Sequence, residues 1–422
     1  MTPEERALDE LLQRAHLAGA HDLPALLEEH ARVLGASDLV TYVVDLQQNV
    51  LVPFLPPGGP PGEDHIERQP VDATLAGRVY QQGQPLTQPV GTGADDARVR
   101  VWLPLLNGTE RLGVLALTVA DADDLERDDG ALALRLRLFG AVAAELVMTK
   151  TLYGDTIVGL QRSAEMGLAA EMQWSLLPPL TFASSGITIA GGLEPAYQVA
   201  GDSIDYAVDH GVASFAVFDG MGHGLPSAQL ATLTVAAYRN GRRHGRSLAT
   251  TAHSIDRAVL TAFSGEAFAT GVLAELDTDS GVLTWVNAGH PDPLLLRDGR
   301  LVRSLHVDPM LPFGIHEHLH DDADITVGSE ALEPGDVVVL YTDGVVEARS
   351  PGGDFFGVQR LVDLLTRSLA SGLPAAETMR RMVHALLEHQ QGQLDDDATL
   401  MFVAWQPGDL TGVLPGQPPV PD

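Results

Sequence analysis

The sequence predicts an α/β chain of two domains joined by a helical segment. Three observations carry this reading. The chain has 422 residues, too many for one ordinary domain and enough for two cores. Its first third alternates helical and strand-like apolar patterns. Its second half holds apolar, β-prone runs that adjoin short acidic motifs.

Leu8, Leu11, Leu12 and Ala15 share one face of an opening amphipathic helix, and Leu23, Leu26, Leu27 and Leu34 mark a second helical pattern. Strand-like runs follow at Leu39–Val44, Val101–Leu105 and Leu112–Val119. The Pro- and Gly-rich stretch from Pro53 to Pro70 predicts an exposed loop. Helical spacing resumes near Asp129 and closes a first α/β domain over residues 1–145. The pattern from Leu132 to Leu177 is mostly helical. Leu160, Ala164, Leu168, Met172 and Leu176 recur every four residues as one apolar face, ended by Leu177-Pro178-Pro179. Gly140, Gly154, Gly159 and Gly167 each weaken a helix by about 1 kcal/mol relative to Ala. Residues 146–182 are read as a linker with a lead-in helix, 183–406 as the second domain, and 407–422 as a disordered Pro/Gly-rich tail.

Four acidic motifs dominate the second domain: Ala200-Gly201-Asp202, Asp219-Gly220-Met221-Gly222-His223-Gly224, Asp343-Gly344 and Asp396-Asp397-Ala398-Thr399. Val212–Phe218 leads into Asp219, Val337–Thr342 into Asp343, and Asp396-Asp397 into Thr399–Ala404. An Asp-Gly pair taken alone is usually a turn. Several carboxylates converging at the ends of buried strands would repel one another unless a cation lay between them. All-oxygen ligands suit hard ions such as Mg²⁺ or Mn²⁺.

Composition narrows the function. A net charge of -31 argues against binding bulk nucleic acid or an anionic membrane. The chain has no cysteine, which removes disulfides, thiolate zinc sites and Cys-nucleophile mechanisms. No apolar stretch approaches a membrane span, and the acidic N-terminus lacks a signal core. The expectation is a cytoplasmic protein without membrane insertion.

The motifs, in their order, resemble the SpoIIE-like, RsbU-type branch of the metal-dependent PPM (protein phosphatase 2C-type) serine/threonine phosphatases. The resemblance covers residues 168–405. It rests on Ala170–Pro178 as lead-in helix, Glu194-Pro195-Ala196 with Val199–Asp205, Phe218–Ala228, Asn287-Ala288-Gly289-His290-Pro291, Pro334–Ala348 and Asp395–Leu400. It implies a PPM-type α-β-β-α sandwich of two antiparallel sheets flanked by helices. It also implies a metal-dependent phosphoprotein phosphatase using two divalent ions, Mn²⁺ or Mg²⁺. By the same resemblance, Asp219 bridges the ions and the Gly220 carbonyl binds one of them. Asp343 and Asp396 complete the other site, and Asp202 holds the second ion directly or through water. Asp219 and Asp343 are the catalytic candidates. Asp397, Asp205 and His223 are secondary, with capping or supporting roles favoured; His223 and His290 are both expected in turns. The family's implied partner is a phosphorylated STAS-domain anti-anti-sigma protein.

Two positions depart from the family's pattern. Ala200 stands where Gly is usual, and Met221 stands where eukaryotic members carry a His general acid. No counterpart of their phosphate-binding Arg is evident, so the general acid stays unassigned. The first domain resembles a GAF-type sensory module, with PAS as an alternative. It would bind an unknown small ligand or serve as a ligand-free dimerisation module, and a homodimer is expected. Two other functions compete with the phosphatase: a pseudophosphatase acting as a ligand-sensing binding module, and a hydrolase of a small phosphorylated molecule.

Overall fold

The computed structural model describes residues 3–56, 66–90, 97–194, 196–197, 201–315, 325–392 and 396–408, with side chains except at 3–7 and 127–129. The middle of the predicted 53–70 loop, Ala200, Asp395 and most of the predicted tail lie outside the described residues. The chain divides into two compact units, Met1–Ala164 and Glu165–Val413.

The first unit begins with helices α1 (Pro3–Leu17) and α2 (Leu23–Val33). Strands β1 (Ala36–Val44), β2 (Val50–Phe54) and β3 (Gln69–Pro70), helix α3 (Leu75–Gln82), and strands β4 (Leu86–Pro89), β5 (Val99–Asn107) and β6 (Glu110–Val119) follow. Helices α4 (Arg127–Thr151) and α5 (Asp155–Gln161) end it. The sheet runs β3-β2-β1-β6-β5-β4. Leu11, Leu23, Leu27, Leu136 and Phe139 pack from the helices onto one face of it. Val79 and Tyr80 of α3 pack with Tyr42 and Val114 on the other. This layering fits a GAF-like domain. Leu12, expected on the buried face of α1, is instead exposed.

No break occurs at residue 145, because α4 runs through it to Thr151. The predicted helical stretch is then interrupted twice. Gly154 caps α5, and Gly167 caps α6 (Leu168–Trp174) of the second unit, both in extended backbone. The apolar repeat from Leu160 to Leu176 is therefore broken up: Leu160 falls in α5, Leu168 and Met172 in α6, Ala164 and Leu176 in neither, and Leu168 is exposed. Gly154 and Gly167 thus take helix ends, whereas Gly140 lies inside α4 and Gly159 inside α5.

The second unit continues with β7 (Thr181–Ser184), β8 (Gly186–Glu194), β9 (Asp202–Asp209), β10 (Val212–Gly220), α7 (Leu225–Arg243) and α8 (Leu248–Phe263). Strands β11 (Ala269–Asp277), β12 (Val282–Ala288), β13 (Leu294–Arg297), β14 (Arg300–Ser304), β15 (Gly328–Ala331) and β16 (Val337–Tyr341) follow. Helices α9 (Asp343–Val346), α10 (Gly357–Ala370) and α11 (Ala375–His389) precede β17 (Ala398–Gln406). Two antiparallel sheets result, β15-β12-β11-β10-β9 and β14-β13-β16-β17-β8-β7.

Side chains alternate across each strand. Phe215 and Val217 of β10 meet Val338 and Leu340 of β16 and Met401 and Val403 of β17 in an apolar seam between the sheets. Ala216 and Phe218 face the other way, packing with Leu230 and Tyr238 of α7. Val337 and Val339 pack with Leu361 of α10 and Met379 of α11. The outcome is helices, sheet, sheet, helices, as the family resemblance implies. Among the described residues no helix is long and apolar enough to cross a membrane.

Candidate metal centre

The period-2 alternation that builds the apolar seam also aims the acidic residues. Asp219 follows Phe215 and Val217 on the same face of β10, so it closes the seam at the end of the strand. Asp202 lies directly across from it on β9. Thr270 of β11 lies across from it on the other side. From the opposite sheet, Thr342 and Thr399 pair through a backbone hydrogen bond just beyond β16, Thr342 N–H to the Thr399 carbonyl at 3.0 Å. Asp343 opens α9 immediately after Thr342, and Asp396 and Asp397 immediately precede β17. Four motifs far apart in sequence thus reach one end of one seam.

Asp202 is 1% exposed. Its Oδ2 accepts the Thr342 hydroxyl at 2.7 Å across the two sheets, and Thr342 Oγ1 in turn accepts the Thr399 N–H at 3.0 Å. Gln173, fully buried on α6, donates Nε2–H to the Asp202 carbonyl. Asp397 accepts the Gly201 N–H at 2.7 Å, a clamp on the backbone beside Asp202. The Gly220 carbonyl accepts the Ser227 hydroxyl at 2.9 Å from the first turn of α7; a carbonyl has a second lone pair that stays available.

The electrostatics are those of crowded like charges. Burial, then Asp219, then Asp397 push Asp202 well above the usual carboxylate range. Burial, then Asp343, Asp396 and Asp397, push Asp219 up to about 7. Asp343 is raised by burial and by Asp396, even though one side of it is open to solvent. Three other buried carboxylates of this unit are matched by arginine, whereas Glu194 and Asp256 accept the backbone N–H groups of Ala196 and Gly314. Asp205 accepts from Arg239 at 2.7 and 2.9 Å and lies 3.2 Å from Arg242. Asp336 pairs with Arg297, and Glu377 with Arg380 and Arg381. Asp202 and Asp219 have hydroxyl and carboxylate neighbours instead.

This donor set fits a hard divalent cation: oxygens only, mutually repelling and, at Asp202 and Asp219, without an ion pair to a cationic side chain among the described residues. Among the described residues no group of three or more His, Asp or Glu side chains is already gathered closely enough to hold a metal ion. An ion held here would keep much of its shell as water, as Mg²⁺ commonly does. Asp202, Asp219, Gly220, Asp343 and Asp396 are the residues that would hold it, with Asp397 fixing backbone beside them.

Asp205 takes no part in this cluster; it faces α7 and its arginines. His223 is exposed in the loop before α7, where Gly224 is the cap residue and makes no side-chain capping bond. His290 is in a turn as expected but is also deeply buried. Thr342, Ser227, Gln173 and the His290 ring are contributors that the sequence did not single out. Gly344 carries a signal of its own. A Cβ there would lie 1.9 Å from the Asp397 carbonyl oxygen, so this Asp-Gly pair is needed for close approach of two backbones as well as for chain reversal.

Residues 209–406 match the sequence profile of the Stage II sporulation protein E (SpoIIE) family. Phosphoserine phosphatase RsbU of Bacillus subtilis (strain 168) is 27% identical over 252 residues, which is 59% of this chain and 73% of RsbU. Protein IcfG of Synechocystis sp. is 30% identical over 137 residues, 32% of this chain but only 20% of IcfG. Among solved structures, the RsbU and RsbW domains of Rv1364c from Mycobacterium tuberculosis align at 24% identity and a TM-score of 0.45, covering 53% of this chain and 62% of that one. With its acidic motifs gathered at one end of a two-sheet sandwich, the C-terminal unit carries, over residues 209–406, a domain that matches the SpoIIE family.

Proposed function

We propose that this protein is a metal-dependent protein serine/threonine phosphatase that hydrolyses phosphoserine or phosphothreonine on a partner-switching regulator of the STAS-type anti-anti-sigma class. The observation that carries this is the acidic cluster at the end of the seam, where Asp202 and Asp219, paired directly across β9 and β10, lie among Asp343, Asp396 and Asp397. The name of RsbU, a phosphoserine phosphatase, supports the reaction class.

Bound Mn²⁺ or Mg²⁺, two ions in this reading, would supply activation of water near neutral pH and neutralise charge on the phosphoryl group. Asp219 and Asp343 reach the cluster from different sheets and would bracket the ions. Asp202 contributes from beneath, oriented by Thr342. The Ser227 hydroxyl fixes the direction of the Gly220 carbonyl. No protein nucleophile is required, consistent with a chain that lacks cysteine.

The first unit is proposed as a sensory domain and as the seat of homodimerisation, with a small ligand or none, in a cytoplasmic protein. Regulation would reach the centre through α6. Gln173 holds the Asp202 carbonyl, and Trp174 donates its indole N–H to the Ala196 carbonyl at 2.7 Å. A shift of this helix of only a few kcal/mol in preference would move the Asp202 backbone.

The test is phosphate release from a phosphoserine-bearing STAS protein with Mn²⁺, with Mg²⁺ and with chelator. Release is expected with metal only, and Asp219→Asn should lower it by at least about a thousandfold. Wild-type turnover by Asp219→Asn would overturn the metal assignment.

A further inference from the structure

His290 occupies a position that neither a core residue nor a turn residue requires. The turn after β12 is closed by Asn287, whose Oδ1 accepts the His290 N–H at 2.8 Å and whose Nδ2 donates to the His290 carbonyl at 2.8 Å. This turn carries the ring inward, and His290 is 6% exposed. Nδ1 lies 2.7 Å from the Thr270 hydroxyl. Nε2 lies 3.0 Å from the Tyr341 carbonyl oxygen. A carbonyl only accepts, so Nε2 carries the proton and Nδ1 accepts from Thr270. Burial lowers the imidazole to about 4, so the ring stays neutral and this tautomer persists through neutral pH.

The two bonded groups belong to different sheets. Thr270 is the cross-strand neighbour of Asp219. Tyr341 is the last residue of β16, two before Asp343. One rigid aromatic ring therefore spans the strand ends that carry the two central carboxylates. The Asp202–Thr342 bond crosses between the sheets one residue further along, so the end of β16 is tied to the opposite sheet at consecutive residues.

We propose that His290 is a positioning residue of the metal centre, a strut whose two hydrogen bonds set the separation of Asp219 and Asp343 and so the affinity for divalent ions. This inference rests on the metal-dependent reading above. Partners that orient the ligands of a metal site typically change affinity by about 10–100-fold when removed.

The experiment measures Mn²⁺ binding to the full chain by the electron paramagnetic resonance signal of free Mn²⁺, without substrate. It compares wild type, His290→Ala, His290→Gln and Thr270→Val, each also melted in chelator. Thr270→Val is nearly isosteric and removes only the hydroxyl, so it decides the matter if His290→Ala does not fold. The expected result is about 10–100-fold weaker Mn²⁺ binding in His290→Ala and Thr270→Val. Substantial recovery is expected in His290→Gln, whose Nε2 can still donate to Tyr341. Melting points that fall while Mn²⁺ affinity matches wild type would overturn the inference and leave His290 as a packing residue. Failure of wild type itself to bind Mn²⁺ would overturn the metal reading, and the strut with it.

Discussion

Asp202 and Asp205 lie three residues apart on β9, and each is 1% exposed. An odd spacing on a strand puts them on opposite faces. Asp205 meets α7, where Arg239 and Arg242 neutralise it. Asp202 meets the other sheet, where Thr342 offers one hydroxyl and Asp219 and Asp397 add negative charge. Burial alone does not tell these two carboxylates apart; the company each keeps does. A carboxylate matched by two guanidinium groups contributes to the fold, whereas one buried among its own kind costs stability until a cation arrives.

Substitution of each member of this pair should give opposite results. Asp205→Asn leaves two arginines facing a neutral amide and should cost about 3 kcal/mol of stability, read by chemical denaturation, while metal dependence is kept in the folded protein. Asp202→Asn should do the reverse. In chelator at pH 8 its melting point should hold or rise, by roughly 2–4 °C for each kcal/mol relieved, while Mn²⁺ binding weakens about tenfold. If Asp205→Asn loses metal and keeps its stability, the two roles have been exchanged.

Acidity sharpens the same contrast. Asp219 is held near 7 in the fold against an ordinary value of 3.8. A raised carboxylate gives its stabilisation below the ordinary value, and that stabilisation is lost as pH rises through the folded one. Chelated wild type should therefore lose stability relative to Asp219→Asn between about pH 4 and pH 7. Added Mn²⁺ should restore wild type at pH 8 and do little at pH 5, where protons compete for the ligands. The difference between the two proteins removes the opposing contribution of buried His290, which both share. The smallest effect is expected at the exposed His223, where His223→Ala should change phosphate release by less than about twofold, as for a surface substitution away from the reacting groups. A drop of a hundredfold would make it the general acid.

Much of this was legible in the sequence, because strand alternation is local. Phe215, Val217 and Asp219 share a face by counting, and the apolar runs fix where β10, β16 and β17 end. What was not legible depends on pairing between distant segments. Nothing near Asp205 announces Arg239, which approaches only once α7 lies back on the sheet. His290 reads as a turn residue because Asn287 and Pro291 are turn residues; its bonds to Thr270 and Tyr341 exist only after both sheets have formed. The lead-in segment misled in another way. A four-residue apolar repeat predicts one face, but Gly154 and Gly167 took helix ends and divided it between two units.

The clamp from Asp397 to Gly201 joins residues 196 apart in the chain, and β17, the last strand described, lies inside its sheet between β16 and β8. Synthesis from the N-terminus therefore leaves a gap in the sandwich until the final strand emerges. Asp396 and Asp397 arrive with it. Long-range pairing of this kind is slow to form, so a nascent chain can have a folded first unit, both helices of the β10–β11 connection and three of its four acidic motifs, and still have no complete centre. The acidic cluster is thus complete only once translation has passed β17.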